Sequence, residues 1–143
     1  MPSRKGSRRA RASLKTINVL IVVDALGALA AQDLMNNVYL IDTNKYLGSW
    51  QEGTVKLHTV CQDGQLIAWR AAPVSPSNDV SIAGFSGQMV TSRICVPTKR
   101  GDAGDSYWEG RIETKGGYGQ YLYTVELSID GRVLSLSPYV KVV

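Results

Sequence analysis

The sequence predicts an all-β fold, an antiparallel β-sandwich of about eight or nine strands with a short helical turn near residues 25–37. Three observations predict it. Residues 121–129 place Tyr123, Val125, Leu127 and Ile129 on one side and Thr124, Glu126 and Ser128 on the other, which is the period of a half-buried strand. Asp130-Gly131 follows, and because a type I′ turn needs positive φ at both central residues, this pair between two alternating runs marks a hairpin. A two-residue loop then sets Leu127 against Leu134, Val125 against Leu136, and Glu126 against Ser135 on the wet face. Finally, short apolar runs bounded by turn residues recur along the chain, and no long helical period accompanies them.

The chain has 143 residues, enough for one domain that buries roughly 68–70% of its unfolded surface. Its net charge of +4 is not spread evenly. Arg4, Lys5, Arg8, Arg9, Arg11 and Lys15 hold six positive charges in the first 15 residues, leaving −2 for the rest. Residues 1–14 carry no apolar periodicity and read as a disordered basic tail, with a single β-sandwich domain over residues 15–143. A basic tail on a near-neutral body argues against a dedicated nucleic-acid surface and leaves only nonspecific contacts by the tail.

Residues 17–23 are strongly apolar and, with Arg8-Arg9 before them and Ala28-Leu29-Ala30 after them, imitate an exported leader. Asp24 interrupts that run, and its Ile/Val content suits a strand better than a signal helix. We read it as the first strand of a cytoplasmic protein, with export the competing reading. No run reaches the 18 or so apolar residues of a membrane-spanning helix, so an integral membrane protein is not expected.

Residues 25–37 are rich in Ala and Leu, lack β-branched side chains and suit a helical turn or two. Residues 38–41 then read as a strand, 42–45 as a turn, and 46–53 as a loop carrying Tyr46 and Trp50. Runs 54–61 and 66–72 flank a second Asp-Gly, at Asp63-Gly64, and are read as a hairpin with Val60 facing Ile67 and His58 facing Trp69. Pro73, Pro76 and their polar neighbours break the chain. A strand at 80–83 follows, bent by 84–87 and resumed over 88–96. Residues 98–106 read as a polar loop, 107–113 as a strand, and Gly116-Gly117 as the turn into the final hairpin.

Few residues suggest chemistry. His58 is the sole histidine, so any Ser-His-Asp or Cys-His arrangement would have to use it, and mid-strand it reads as a packing residue. Cys61 and Cys95 are too few for a disulfide scaffold and too isolated for zinc, so they read as buried, reduced thiols. Asp102 and Asp105 suggest calcium, yet the 12-residue ligand loop is missing. The glycines fall between strands and not in a strand-glycine-helix phosphate cradle. No catalytic residue, metal or cofactor is expected. Trp50, Trp108 and Tyr118 fall in or beside loops, where an exposed ring would stack on a sugar or a partner, and they form the candidate ligand or partner surface.

Residues 17–24 (INVLIVVD), 37–42 (NVYLID), 46–53 (YLGSWQEG), 76–87 (PSNDVSIAGFSG) and 95–97 (CVP) occur in an order that resembles the AidA/PixA family of bacterial inclusion body proteins. The likeness runs from Ile17 to Val143. It implies a small, non-enzymatic protein made abundantly in dense or stationary culture, under quorum-sensing control in some members, in bacteria that live with hosts. Some members collect in intracellular inclusions, and the family supplies no functional residues to carry over. Here an arginine-rich tail precedes the shared region, and there are three methionines where the inclusion-forming members are methionine-rich. An open sandwich leaves strand edges free, and a near-neutral body repels its copies weakly, so a homo-oligomer is expected.

Overall fold

The computed structural model describes residues 14–43, 56–102 and 105–143. The expected tail, apart from Leu14, lies outside them, as do residues 44–55. In chain order the described residues form β1 (Ile17–Val23), α1 (Ala25–Ala31), β2 (Val38–Asp42), β3 (His58–Cys61), β4 (Leu66–Pro73), β5 (Val80–Ser86) and α2 (Gln88–Thr91). Then come β6 (Thr98–Asp102), β7 (Asp105–Arg111), β8 (Gly119–Leu122), β9 (Thr124–Ile129), β10 (Arg132–Leu136) and β11 (Tyr139–Val142). The all-β expectation holds, with eleven strands among the described residues and the helical turn where the Ala/Leu run placed it. That turn is α1: the Asp24 side chain accepts from the Gly27 N–H, and the helix stops at Gln32, whose φ of 54° is left-handed.

One sheet has five strands in the order β2-β1-β4-β7-β6, and two have three, β10-β9-β5 and β3-β11-β8. The sheets are not wholly antiparallel. β1 runs parallel to β4, and β11 parallel to β3. Both junctions arise because the chain changes sheets: β3 leaves the sheet of β1 and β2, and β4 returns to it along the far side of β1.

That departure overturns the expected β3–β4 hairpin, and the two Asp-Gly pairs show why. At the final hairpin Asp130 and Gly131 both have positive φ, 48° and 86°, as a type I′ turn requires, and the pairing is the one read from sequence: Leu127 with Leu134, Val125 with Leu136, Glu126 with Ser135. At Asp63-Gly64 only the glycine is left-handed, with φ 87°, a geometry that splays the flanking strands. The Asp63 carboxylate is held elsewhere, accepting from the N–H groups of Thr114 at 2.7 Å and Gly116 at 2.9 Å. Gln65, buried, locks the crossover, accepting from the Gln62 N–H and donating to the Lys15 carbonyl, both at 2.9 Å. His58 therefore meets Tyr139 and not Trp69, stacked with ring centroids 4.5 Å apart.

Three further expectations are corrected. Residues 88–91 form α2 and not a strand, since Gly87, with φ 93°, turns the chain out of β5. The expected polar loop over 98–106 holds β6 and the start of β7, paired from Thr98–Glu109 to Asp102–Asp105. It looks like a loop because every residue of β6 is exposed, leaving no apolar period to read. The run over 121–129 is two strands: the Tyr123 N–H donates to the Pro138 carbonyl, so β8 pairs with β11 while β9 pairs with β10 and β5.

The sheets enclose one apolar core, centred on Trp69, Tyr123 and Phe85. Trp69 lies 4.9 Å from Phe85 and 5.8 Å from Tyr123, and its indole N–H donates to the Tyr123 hydroxyl at 3.2 Å. This is the one polar need of a buried indole, met inside the core.

Candidate functional site

The three aromatic residues proposed as a surface do not share one. Trp50 lies outside the described residues. Trp108 sits in β7 and not in a loop, opposite Trp69 in the sheet register, with its ring 5.4 Å from Phe85. It is half-buried against the core, so most of its area serves packing. Tyr118 alone stands in solvent, 82% exposed between Gly117 and Gly119.

The groups with chemical potential are also dispersed. His58 donates from Nδ1 to the Lys56 carbonyl at 2.7 Å, which together with its stack on Tyr139 fixes the ring in place. Asp102 and Asp105 face each other across the β6–β7 pairing, both exposed, and no group of three or more His, Cys, Asp or Glu gathers around a metal-sized space among the described residues. An open depression is lined by Arg93, Cys95, Val96, Arg111 and Glu113, with the Arg111 guanidinium donating to the Gly64 carbonyl at 2.7 Å. The Asp42 carboxylate is buried in the core and accepts from the Thr59 hydroxyl at 2.8 Å.

Cys61 and Cys95 are free and buried. Burial pushes each thiol up to about 12 from an ordinary 9.0, with Cys95 adding to the effect at Cys61 and Glu113 adding to that at Cys95. A protonated thiol is a poor nucleophile, and a buried one is out of reach. Native protein is expected to react with a maleimide at least tenfold more slowly than protein unfolded in urea, a margin set by access and protonation alike. Equal rates would contradict the burial. The same shifts give a pH dependence. Between about 9 and about 12 the unfolded chain releases thiol protons that the folded chain keeps, so stability should be steady at neutral pH and fall as pH rises through that window. Tyr123, whose hydroxyl burial also raises, acts in the same direction at higher pH. Urea midpoints measured from pH 7 to about 10.5 check this, and a midpoint that rises with alkali would contradict it.

The surface feature that sequence reading missed lies on the outer face of the five-stranded sheet. In β1 and β2 the side chains alternate between core and solvent. Pairing sets Leu20 beside Ile41 and Val22 beside Tyr39 on the solvent side, with Leu20 39%, Ile41 44% and Tyr39 48% exposed. The block is apolar and uncharged. Further across the same face the surface turns ionic: Arg70 covers the Tyr107 ring at 4.5 Å, and Arg100 pairs with Glu109 at 3.4 Å. The unbroken apolar run of residues 19–23 hides this face, because a strand buried on both sides would read the same.

Comparison with curated proteins gives no match. Among solved structures the chain is similar to an inclusion body protein, PixA, from Burkholderia cenocepacia J2315, with a TM-score of 0.66 and 11% sequence identity over 90% of this chain and 94% of that one. The resemblance read from the sequence is thus met by the fold. At that identity it is the fold alone that is shared. Residues 15–135 match the family model described as Domain of unknown function (DUF8788), and because that span covers most of the sequence, the chain belongs to this family.

Proposed function

We propose that this is a non-enzymatic protein that accumulates in the bacterial cytoplasm and works by associating with itself. The observation that carries the reading is the uncharged apolar block of Leu20, Val22, Tyr39 and Ile41 on the outer sheet face, formed by β1 and β2. A body of net −2 opposes the approach of copies only weakly. The dispersal of His58, the buried protonated thiols and the exposed aspartates supports a role without catalysis. The PixA-like fold adds a protein whose title names an inclusion body, and in that company abundant production in dense or stationary culture, quorum-sensing control and a part in life with a host are the physiological settings proposed here. The competing class, a glycan or small-molecule module, draws on Trp50 and Tyr118 but has lost Trp108 to the core.

Light scattering on the full chain over a hundredfold concentration range tests the reading. The expected result is a mass that rises from monomer toward dimer or beyond at micromolar concentration, with tryptophan fluorescence unchanged by a panel of glycans. A constant monomer mass, or saturable quenching by one glycan, would contradict it.

A further inference from the structure

We propose that two copies of this chain join through β10, edge to edge across a twofold axis at Leu134, so that the β10-β9-β5 sheets of both copies become one. This rests on the self-association proposed above and adds a second surface to the apolar block. Among the described residues the three sheets end in six edge strands, and five of them are closed or guarded. Val38 and Leu40 of β2 and Thr59 and Cys61 of β3 are buried. β6 carries Lys99, Arg100 and Asp102, charges of the kind that keep an edge from templating another strand. β5 is bulged between Ile82 and Gly84, and β8 packs against α2. β10 has none of these devices. Its single charge is Arg132 at its first residue, Val133 is 57% exposed, Ser135 is exposed, and among the described residues no strand pairs with its outer side.

The hydrogen bonding of β9 shows which backbone groups of β10 face outward. The Asp130 N–H donates to the Asp79 carbonyl at 2.9 Å, so residue 130 bonds toward β5. Bonding direction alternates along an antiparallel strand, and Ile129, Leu127 and Val125 therefore bond toward β10. Tyr123 continues that series, since its N–H donates to the Pro138 carbonyl at 3.0 Å on the same side. The partners Arg132, Leu134 and Leu136 thus direct their N–H and C=O groups at β9. Val133 and Ser135 direct theirs away from it. Both are exposed residues, so the groups that lack a ladder lie at positions open to solvent.

A second copy is the occupant because β10 fits itself. With the twofold axis at Leu134, Val133 exchanges both hydrogen bonds with the partner subunit's Ser135, and symmetry repeats the exchange. Within β10 that makes four bonds, on the order of twice what a register centred on Val133 or on Ser135 makes. Residues directly opposite each other point to the same face, so half-buried Leu134 meets its own counterpart in the closer, non-hydrogen-bonded position, which extends the apolar core across the junction. Arg132 falls opposite the partner subunit's Leu136, and no charge faces a like charge. A five-residue edge covers far less than the about 800 Å² per partner of a standard stable interface, so this dimer is reversible and concentration-dependent.

Cross-linking tests the register. Hydrogen-bonded partners have Cα atoms about 5.5 Å apart, inside the disulfide range, and the native cysteines are buried out of reach. Full-length Val133→Cys and Ser135→Cys proteins, mixed under mild oxidation, should form a covalent dimer about tenfold faster than either alone, because only unlike thiols stand opposite each other. In parallel, Ser135→Pro removes an N–H that β9 does not use, and should raise the dissociation constant about tenfold with the far-UV circular dichroism unchanged. The cysteine pair, at exposed positions, decides the question even where the proline unsettles the strand. A single variant that cross-links as fast as the mixture, or a mixture that does not cross-link, overturns the register. If Ser135→Pro also leaves an associating protein unchanged, the β10 edge is overturned while self-association stands. A wild-type protein that stays monomeric overturns both.

Discussion

Trp69→Ala is expected to destabilise the fold by about 3–5 kcal/mol, the range for removing a large buried aromatic side chain. The indole is fully buried, lies at the meeting of two sheets, and touches both Phe85 and Tyr123. Its neighbours come from β5, β7 and the junction of β8 with β9, whose backbones are held by ladders and, at Tyr123, by the hydrogen bond to the Pro138 carbonyl, so the site cannot collapse to fill the hole. The measurement is the urea unfolding midpoint at constant m-value. Tyr123→Phe separates the polar part: it removes the hydroxyl that accepts the indole N–H, and a smaller loss of about 1–3 kcal/mol is expected from a buried donor left unpaired. A Trp69→Ala protein within 1 kcal/mol of wild type, on the order of an ordinary surface change, would show that the core is not centred there.

Gly87→Ala is the second large effect. Gly87 has φ 93° and ψ −174°, a region open essentially to glycine alone, and forcing a side chain into it costs on the order of 1–3 kcal/mol. The surroundings add to that. A Cβ there would lie 3.2 Å from the Thr124 backbone nitrogen and the Tyr123 Cα, and backbone in a ladder does not yield as a flexible side chain does. Gly84→Ala is the internal control. It stands three residues earlier, inside β5 and beside the register shift after Ile82, and a Cβ there meets nothing within 4 Å. Its expected effect is within about 0.5 kcal/mol. Equal losses at the two positions would mean that glycine content, and not the geometry at residue 87, governs this bend.

These two sites mark where local sequence stopped being informative. The Asp130-Gly131 hairpin was legible to the residue because turn chemistry and side-chain alternation are both local and agree. The identical dipeptide at Asp63-Gly64 reads the same way and folds differently, because the deciding bonds, from Thr114 and Gly116 to the Asp63 carboxylate, come from about 50 residues away. Tyr123 reads as one more inward residue of a continuous strand, and only the distant Pro138 carbonyl and the close approach of Gly87 show that the chain changes sheets there. Parallel pairing of β1 with β4 leaves no local mark at all. The candidate surface was less legible still. Trp108 and Tyr118 look alike beside glycines and polar residues, yet the register opposite Trp69 draws one into the core and leaves the other in solvent. The exposed block on β1 and β2 was hidden in an apolar run that names no outward side.

We propose that the sheet, and not the arginine-rich first residues, brings copies of this protein together. Sedimentation velocity of the full chain, over a hundredfold concentration range at about 0.15 M and about 1 M salt, tests it most directly, because the Debye length shrinks from about 8 Å to about 3 Å and screens attraction carried by arginine charge. The account predicts a sedimentation coefficient that climbs with concentration at both salt levels, at least as steeply in high salt, as association through uncharged surface requires. A single monomeric species throughout, or growth that disappears in high salt, would contradict it.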